Sequence, residues 1–199
     1  AKVGLRWARG PFELMNRVGV KASFEMAQEY LALCRDDQGE SNWKIPQFFT
    51  DQASNDSAWD FSYVDTSINE GVATITINRP EAMNALNETV IEQLGDAIAA
   101  VNSDDSVHTM VLDGAGKAFV AGADVKFFVD KIRSDSIDDI VEFTTNGHKV
   151  LNSIENSPKT TIALTTGLAL GGGLELALCC DYRIGTRRTQ FRFPETSIG

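Results

Sequence analysis

The chain has 199 residues, 43% of them apolar and 23% charged, and carries a formal charge of -10 at pH 7. That length allows one sizeable core plus an appendage, and the composition is that of a soluble globular protein. The acid excess argues against nucleic acid as a partner, since Lys and Arg must neutralise the phosphates, and no apolar run reaches the ~18 residues of a membrane span.

The N-terminus, with Arg6, Arg9, Glu13 and Arg17 close together, lacks the parts of a secretory signal. Ala1 in place of an initiator Met makes the start read as the interior of a longer protein. Cys34, Cys179 and Cys180 make no disulfide framework, and reduced thiols in a cytoplasmic setting are the expectation. His108 and His148 lack the spacing of a metal site, so no metal is expected and both read as surface or packing residues.

Taken in chain order, residues 1–35 hold the Gly10-Pro11 step, the apolar set Phe12, Leu14, Met15 and Val18, and then Phe24, Met26, Tyr30, Leu31 and Leu33. This pattern predicts two short helices broken at Gly19. Residues 36–60 are polar and without sustained period, a linker, although Trp43, Ile45, Phe48, Phe49 and Trp59 give part of it the means to dock.

From residue 61 to 199 the pattern is α/β. Val72 to Ile77 reads as a strand ending at Arg79-Pro80. Asn87 then caps a helix with Val90, Ile91, Leu94, Ile98 and Val101 at helical spacing. Thr109 to Leu112 is the next strand, closed by Gly114 and Gly116. A second helix carries Ile137, Ile140, Val141, Thr144, His148, Leu151 and Ile154 and stops before Pro158. The strand Thr161 to Thr165, the turn Gly171-Gly172-Gly173, an apolar helix through Cys179, a short strand Tyr182 to Gly185 and an extended piece from Gln190 to Phe193 complete the chain. The alternation predicts helices covering parallel strands. Gly114-Ala115-Gly116-Lys117 is neither a dinucleotide fingerprint nor a P-loop, and reads as a tight turn.

Chemistry concentrates late in the chain. Three consecutive glycines at the mouth of a helix let something approach the backbone closely, next to first-turn amides that have no intrahelical acceptor. Glu175 sits among Leu174, Leu176 and Leu178, a setting that invites a raised pKa. Glu195 follows Pro194. Two carboxylates, one ionised and one protonated, are what the addition of water to a double bond needs. Ala121, Gly122 and Ala123 are small, and Asp124 is placed to cap the next segment. If the Ala123 amide faces that of Gly172, the two donors make an oxyanion hole.

The motifs Asn78 to Leu86, Phe119 to Asp124, Gly171 to Leu176, Cys180 to Ile184 and Phe193-Pro194-Glu195, in this order and spacing, resemble the enoyl-CoA hydratase/isomerase (crotonase) family. The resemblance implies a crotonase-like spiral of β-β-α units over residues 61–199, coenzyme A thioester substrates and homo-oligomers, trimers or hexamers. It places the oxyanion hole on Ala123 and Gly172 and the water-holding carboxylates on Glu175 and Glu195. It also puts Ala82, Ala85, Leu86 and Ala121 where coenzyme A is wrapped. With both acids present it favours 2-enoyl-CoA hydration in fatty acid β-oxidation, needing no cofactor beyond the coenzyme A of the substrate. Double-bond isomerisation and noncatalytic CoA binding are the alternatives.

Hydratases of this type continue past the position of Gly199, so the C-terminus reads as truncated. Gly10 to Gly19 resembles the end of a 3-hydroxyacyl-CoA dehydrogenase C-terminal helical domain. That likeness implies a piece of a bifunctional protein whose NAD-binding domain lies upstream.

Overall fold

The structure, a computed structural model, describes residues 11–34 and 43–197. The chain divides into two compact units, Ala1–Phe61 and Ser62–Gly199. The expectations for residues 1–10, 35–42, 198 and 199 lie outside the described residues.

The first unit holds helices α1 (Pro11–Val18), α2 (Val20–Leu33) and α3 (Gln47–Ser54). Gly19, at φ 102°, separates the first two, as expected of a residue without a Cβ. Within the segment expected as a linker, residues 43–60 are folded instead. Phe49 and Ala53 of α3 are buried with Val20, and Met15, Phe24, Ile45 and Trp59 pack around them. The amide of Asn16 ties the segment down, donating to the Trp59 carbonyl at 2.8 Å and accepting from the Trp59 N–H at 2.7 Å. Aromatic burial thus outweighs the polar composition that made the stretch read as a linker.

The second unit contains β1 (Val64–Asn69), β2 (Val72–Ile77), α4 (Glu88–Ser103), β3 (Thr109–Gly114), β4 (Ala118–Val120), α5 (Val125–Arg133), α6 (Ile137–Glu155), β5 (Thr160–Thr165), β6 (Leu168–Leu170), α7 (Gly172–Leu178), β7 (Tyr182–Gly185) and β8 (Gln190–Arg192). The elements repeat as strand, strand, helix. β1 and β2 pair antiparallel and stay together in a five-stranded sheet ordered β1-β2-β3-β5-β7, whereas the later pairs part company: β3, β5 and β7 join that sheet and β4, β6 and β8 form a three-stranded sheet in that order. This is the β-β-α architecture that the family resemblance implies. Simple βα alternation missed β1, β4 and β6: β4 and β6 have three residues each and leave no readable period, and β1, six residues long, is exposed beyond Val64 and carries no buried alternation.

The core follows from strand alternation and the helical stripe. Ala73, Ile75 and Ile77 of β2 and Met110 and Leu112 of β3 point inward, and α4 lays Val90, Leu94, Ile98 and Val101 against them, all at most 2% exposed. Each of the Val, Leu, Ile and Met side chains among them contributes about 1.5–3 kcal/mol when fully buried. The Asn87 side chain accepts from the Val90 N–H at 2.9 Å, giving α4 the expected cap. At the exit of α7, Arg183 donates to the Cys180 carbonyl at 2.7 Å. Asp181 accepts from the backbone and hydroxyl of Thr161, and those two bonds hold its carboxyl below the ordinary carboxylate range.

All three cysteines are free thiols. Cys34 and Cys179 are half-buried and Cys180 is buried. Burial first, and the neighbouring Cys179 second, pushes the Cys180 thiol up to about 12. A raised pKa keeps the neutral thiol, whereas the thiolate is the nucleophile. In the folded protein Cys180 therefore stays unalkylated by iodoacetamide at pH 8 to 10 and reacts readily once urea unfolds the chain. Peptide mass mapping of the labelled protein checks this, and equal labelling in both states would contradict it.

Candidate active site

Three parallel strand ends build the site. β4 pairs with β6, and β6 with β8, all parallel, so their C-terminal ends lie on one edge of the small sheet. From that edge β4 runs into Ala121 to Asp124, β6 into Gly171-Gly172 and α7, and β8 into Phe193 and a short 3₁₀ turn, Pro194–Ser197, that carries Glu195. Open α/β sheets bind ligands at such an edge. The register sets the match in height: Leu170 lies opposite Arg192, and the Gly171 N–H donates to the Arg192 carbonyl at 3.0 Å.

A cavity of about 290 Å³ opens there, and Ala123, Gly172, Glu175 and Glu195 all line it. Its apolar wall comes from Leu86, Ile91, Phe128, Phe143, Leu151 and Leu176. The two carboxylates sit beside consecutive glycines. A Cβ on Gly171 would overlap the Glu195 Oε1 and stand 3.3 Å from its Cδ, while one on Gly172 would be 3.8 Å from the Glu175 Oε2. Gly171 also holds φ 46°. Glycine at this turn therefore serves close approach of a carboxylate to the main chain as well as the turn itself.

The apolar surroundings expected for Glu175 do not hold in three dimensions. Leu174, Leu176 and Ala177 are buried, but Glu175 and Leu178, three apart on the helix, share the exposed face. Sequence neighbours diverge by about 100° around a helix, so an apolar string does not enclose the acid within it.

The segment bearing Ala123 is held by a short parallel bridge to Leu86. The Leu86 N–H donates to the Gly122 carbonyl and the Asp124 N–H to the Leu86 carbonyl, both at 2.8 Å. That pairing leaves the Ala123 N–H directed away from Leu86, and among the described residues it donates to no backbone carbonyl. The Asp124 side chain caps α5 by accepting from the Lys126 N–H at 3.1 Å. Beneath the bridge, fully buried Asn84 accepts from the Arg79 N–H at 2.8 Å and donates toward the carbonyls of Ala115, Ala118 and Phe119 at 2.8 to 3.1 Å.

Of the residues expected around coenzyme A, Leu86 lines the cavity. Ala82, Ala85 and Ala121 are half-buried on the two adjoining segments, which the Ala121 N–H joins by donating to the Met83 carbonyl at 3.1 Å.

Sequence reasoning missed one wall. Thr144, Gly147, His148 and Leu151 of α6 line the cavity at i, i+3, i+4 and i+7, so His148 faces the site and is not a plain surface residue. Of the periodic residues expected on α6, Thr144, His148 and Leu151 belong to this wall, while Ile154 joins Phe143 and Val150 on the buried face. A glycine inside a long helix, costing about 1 kcal/mol relative to Ala, was the available signal. A Cβ on Gly147 would meet nothing within 4 Å.

Among the described residues no group of His, Cys, Asp and Glu has the arrangement of a metal site, and no helix is long and apolar enough to cross a membrane.

With the geometry in place, the chain can be compared with known proteins. It is 44% identical over 131 residues to the crotonyl-CoA hydratase of Syntrophomonas wolfei subsp. wolfei, covering 65% of this chain and 49% of that protein. It is 39% identical over 129 residues to the short-chain-enoyl-CoA hydratase of Clostridium acetobutylicum, covering 64% and 48%. The chain thus spans about half the length of the curated relatives it matches. Among solved structures, an enoyl-CoA hydratase/carnithine racemase from Magnetospirillum magneticum superimposes with a TM-score of 0.64 at 35% identity, over 70% of this chain and 52% of that one. A sequence profile described as Enoyl-CoA hydratase/isomerase matches residues 72–199, and on that match, supported by the same strand-strand-helix architecture, this chain belongs to the enoyl-CoA hydratase/isomerase family.

Proposed function

We propose that the second unit carries the catalytic centre of a 2-enoyl-CoA hydratase, forming 3-hydroxyacyl-CoA in fatty acid β-oxidation. The observation that carries this reading is the convergence of Glu175, Glu195, Ala123 and Gly172 on one cavity beside a Gly-rich turn. The hydratase relatives add support, because the reaction in their names needs this set of groups.

In this reading one water sits between Glu175 and Glu195. One carboxylate takes a proton from it as the oxygen bonds to the β-carbon, and the electron pair of the double bond moves onto the thioester oxygen. The Ala123 and Gly172 N–H groups stabilise that enolate, and a glutamic acid returns a proton to the α-carbon. Ala82, Ala85, Leu86 and Ala121 border the coenzyme A moiety, and hydration itself requires no further cofactor. The likeness of the helical unit to the end of a 3-hydroxyacyl-CoA dehydrogenase supports a bifunctional protein with an NAD-dependent partner activity, the family resemblance supports a homo-oligomer, and the free thiols fit a cytoplasmic setting.

The test is product analysis with the intact protein. A four-carbon 2-enoyl-CoA should be converted to the 3-hydroxyacyl thioester, while a 3-enoyl-CoA persists. Conversion of the 3-enoyl to the 2-enoyl thioester without hydration would make the protein an isomerase. Binding of both without turnover would make it a noncatalytic CoA module.

A further inference from the structure

Arg79 lies outside the cavity lining, yet its guanidinium grips both segments that border the site. Its Nη1 donates to the Ala85 carbonyl at 3.0 Å and forms an ion pair with the Asp124 Oδ2 at 2.9 Å, so one nitrogen reaches both segments. The side chains of Arg79 and Asp124 are only 16% and 21% exposed, and the guanidinium also lies over the Tyr63 ring, 5.5 Å from its centroid. The Arg79 backbone is fixed as well, since its N–H donates to the buried Asn84 side chain.

This grip spans the Leu86 to Ala123 bridge. Ala85 precedes one member of the bridge and Asp124 follows the other, and Asp124 at the same time caps α5. The orientation of the Ala123 peptide therefore depends on a charge pair one residue away. A surface pair would be screened and worth little, but this one is largely removed from water.

We propose that Arg79 and Asp124 are positioning residues for the oxyanion hole: their ion pair, shared with the Ala85 carbonyl, holds the Ala123 N–H at the angle that meets a developing negative oxygen. The inference rests on the hydratase reading given above. Neither side chain touches substrate in this arrangement. Both act through the Ala123 peptide.

The test uses the intact protein with Asp124→Asn, which retains an oxygen to cap α5 but removes the charge that fixes Arg79. Two ligands report on the hole without turnover: a 3-ketoacyl-CoA, whose enolate places negative charge on the thioester oxygen, and the saturated acyl-CoA of equal length. Unsubstituted protein should prefer the enolate. In Asp124→Asn that preference should fall by about tenfold to a hundredfold, with hydration kcat falling in step and KM changing less than about twofold.

Arg79→Lys, which keeps the charge but loses the planar guanidinium that reaches both Ala85 and Asp124, should show the same split should Asp124→Asn fail to fold. A purely structural role would lower the folded fraction and scale both ligands alike, leaving their affinity ratio intact. An unchanged ratio in both variants overturns the proposal, as does an unsubstituted protein with no enolate preference. Absence of hydration in unsubstituted protein that still prefers the enolate counts against the hydratase reading alone, and the ratio in the variants still decides the role of the pair.

Discussion

Glu175→Gln and Glu195→Gln each lower the hydration rate by about 10²- to 10⁴-fold, the range for losing one acid-base group, while the affinity for a saturated acyl-CoA stays within a few-fold of the unsubstituted protein. Glutamine preserves the volume and one carbonyl oxygen, so the cavity keeps its shape, but the amide neither accepts the proton from water nor returns one to carbon. The double variant should fall little further than either single one, because in the proposed mechanism the two carboxylates act on one water molecule and their losses do not add. Stopped-flow absorbance of the enoyl thioester measures the rates. A single variant retaining more than about a tenth of the rate would remove that residue from the acid-base pair.

Gly173→Ala is expected to be nearly as damaging, by a different route. A Cβ at this position would overlap the Val120 carbonyl oxygen and lie 2.7 Å from the Val120 Cβ. Both Gly173 and Val120 are buried, so neither has room to yield. Overpacking of this kind costs about 1–3 kcal/mol, and at about 2–4 °C per kcal/mol for a domain of this size the melting temperature drops by several degrees.

The strain also has a direction. Relief requires α7 to move off β4, which would carry Gly172 away from Ala123 and loosen the proposed pair of amides. A displacement of about 1 Å suffices for a hundredfold loss of rate. Gly147→Ala supplies the contrast in stability: its Cβ meets nothing within 4 Å, and a helix-interior Gly to Ala change raises stability by about 0.5–1 kcal/mol. Calorimetry on the two variants separates them, and a Gly173→Ala protein as stable as the parent would contradict the close packing of α7 on β4.

What the sequence determined by itself is local. Asn87 as a cap, the α4 stripe, the inward residues of β2 and β3 and the helix break at Gly19 all follow from periodicity and backbone chemistry within about one to four turns, and the structure has them. Glu175 and the small residues around Ala123 and Gly172 were legible as chemistry one segment at a time, whereas Glu195 by itself read as a turn residue and the roles of all four came from the ordered motifs of the family resemblance.

What only the tertiary structure decided is which of these segments meet. Parallel pairing of β4, β6 and β8 brings residues 123, 172, 175 and 195 to one edge, and pairing across such separations leaves no trace in local period. The same holds for the folding of residues 43–60 onto α2 and for the cavity wall of Thr144, Gly147, His148 and Leu151. The exposed orientation of Glu175 and the grip of Arg79 on Ala85 and Asp124 belong there too. In each case the deciding energy is contact between groups far apart in the chain, and composition or spacing within one window carries no information about a partner outside it.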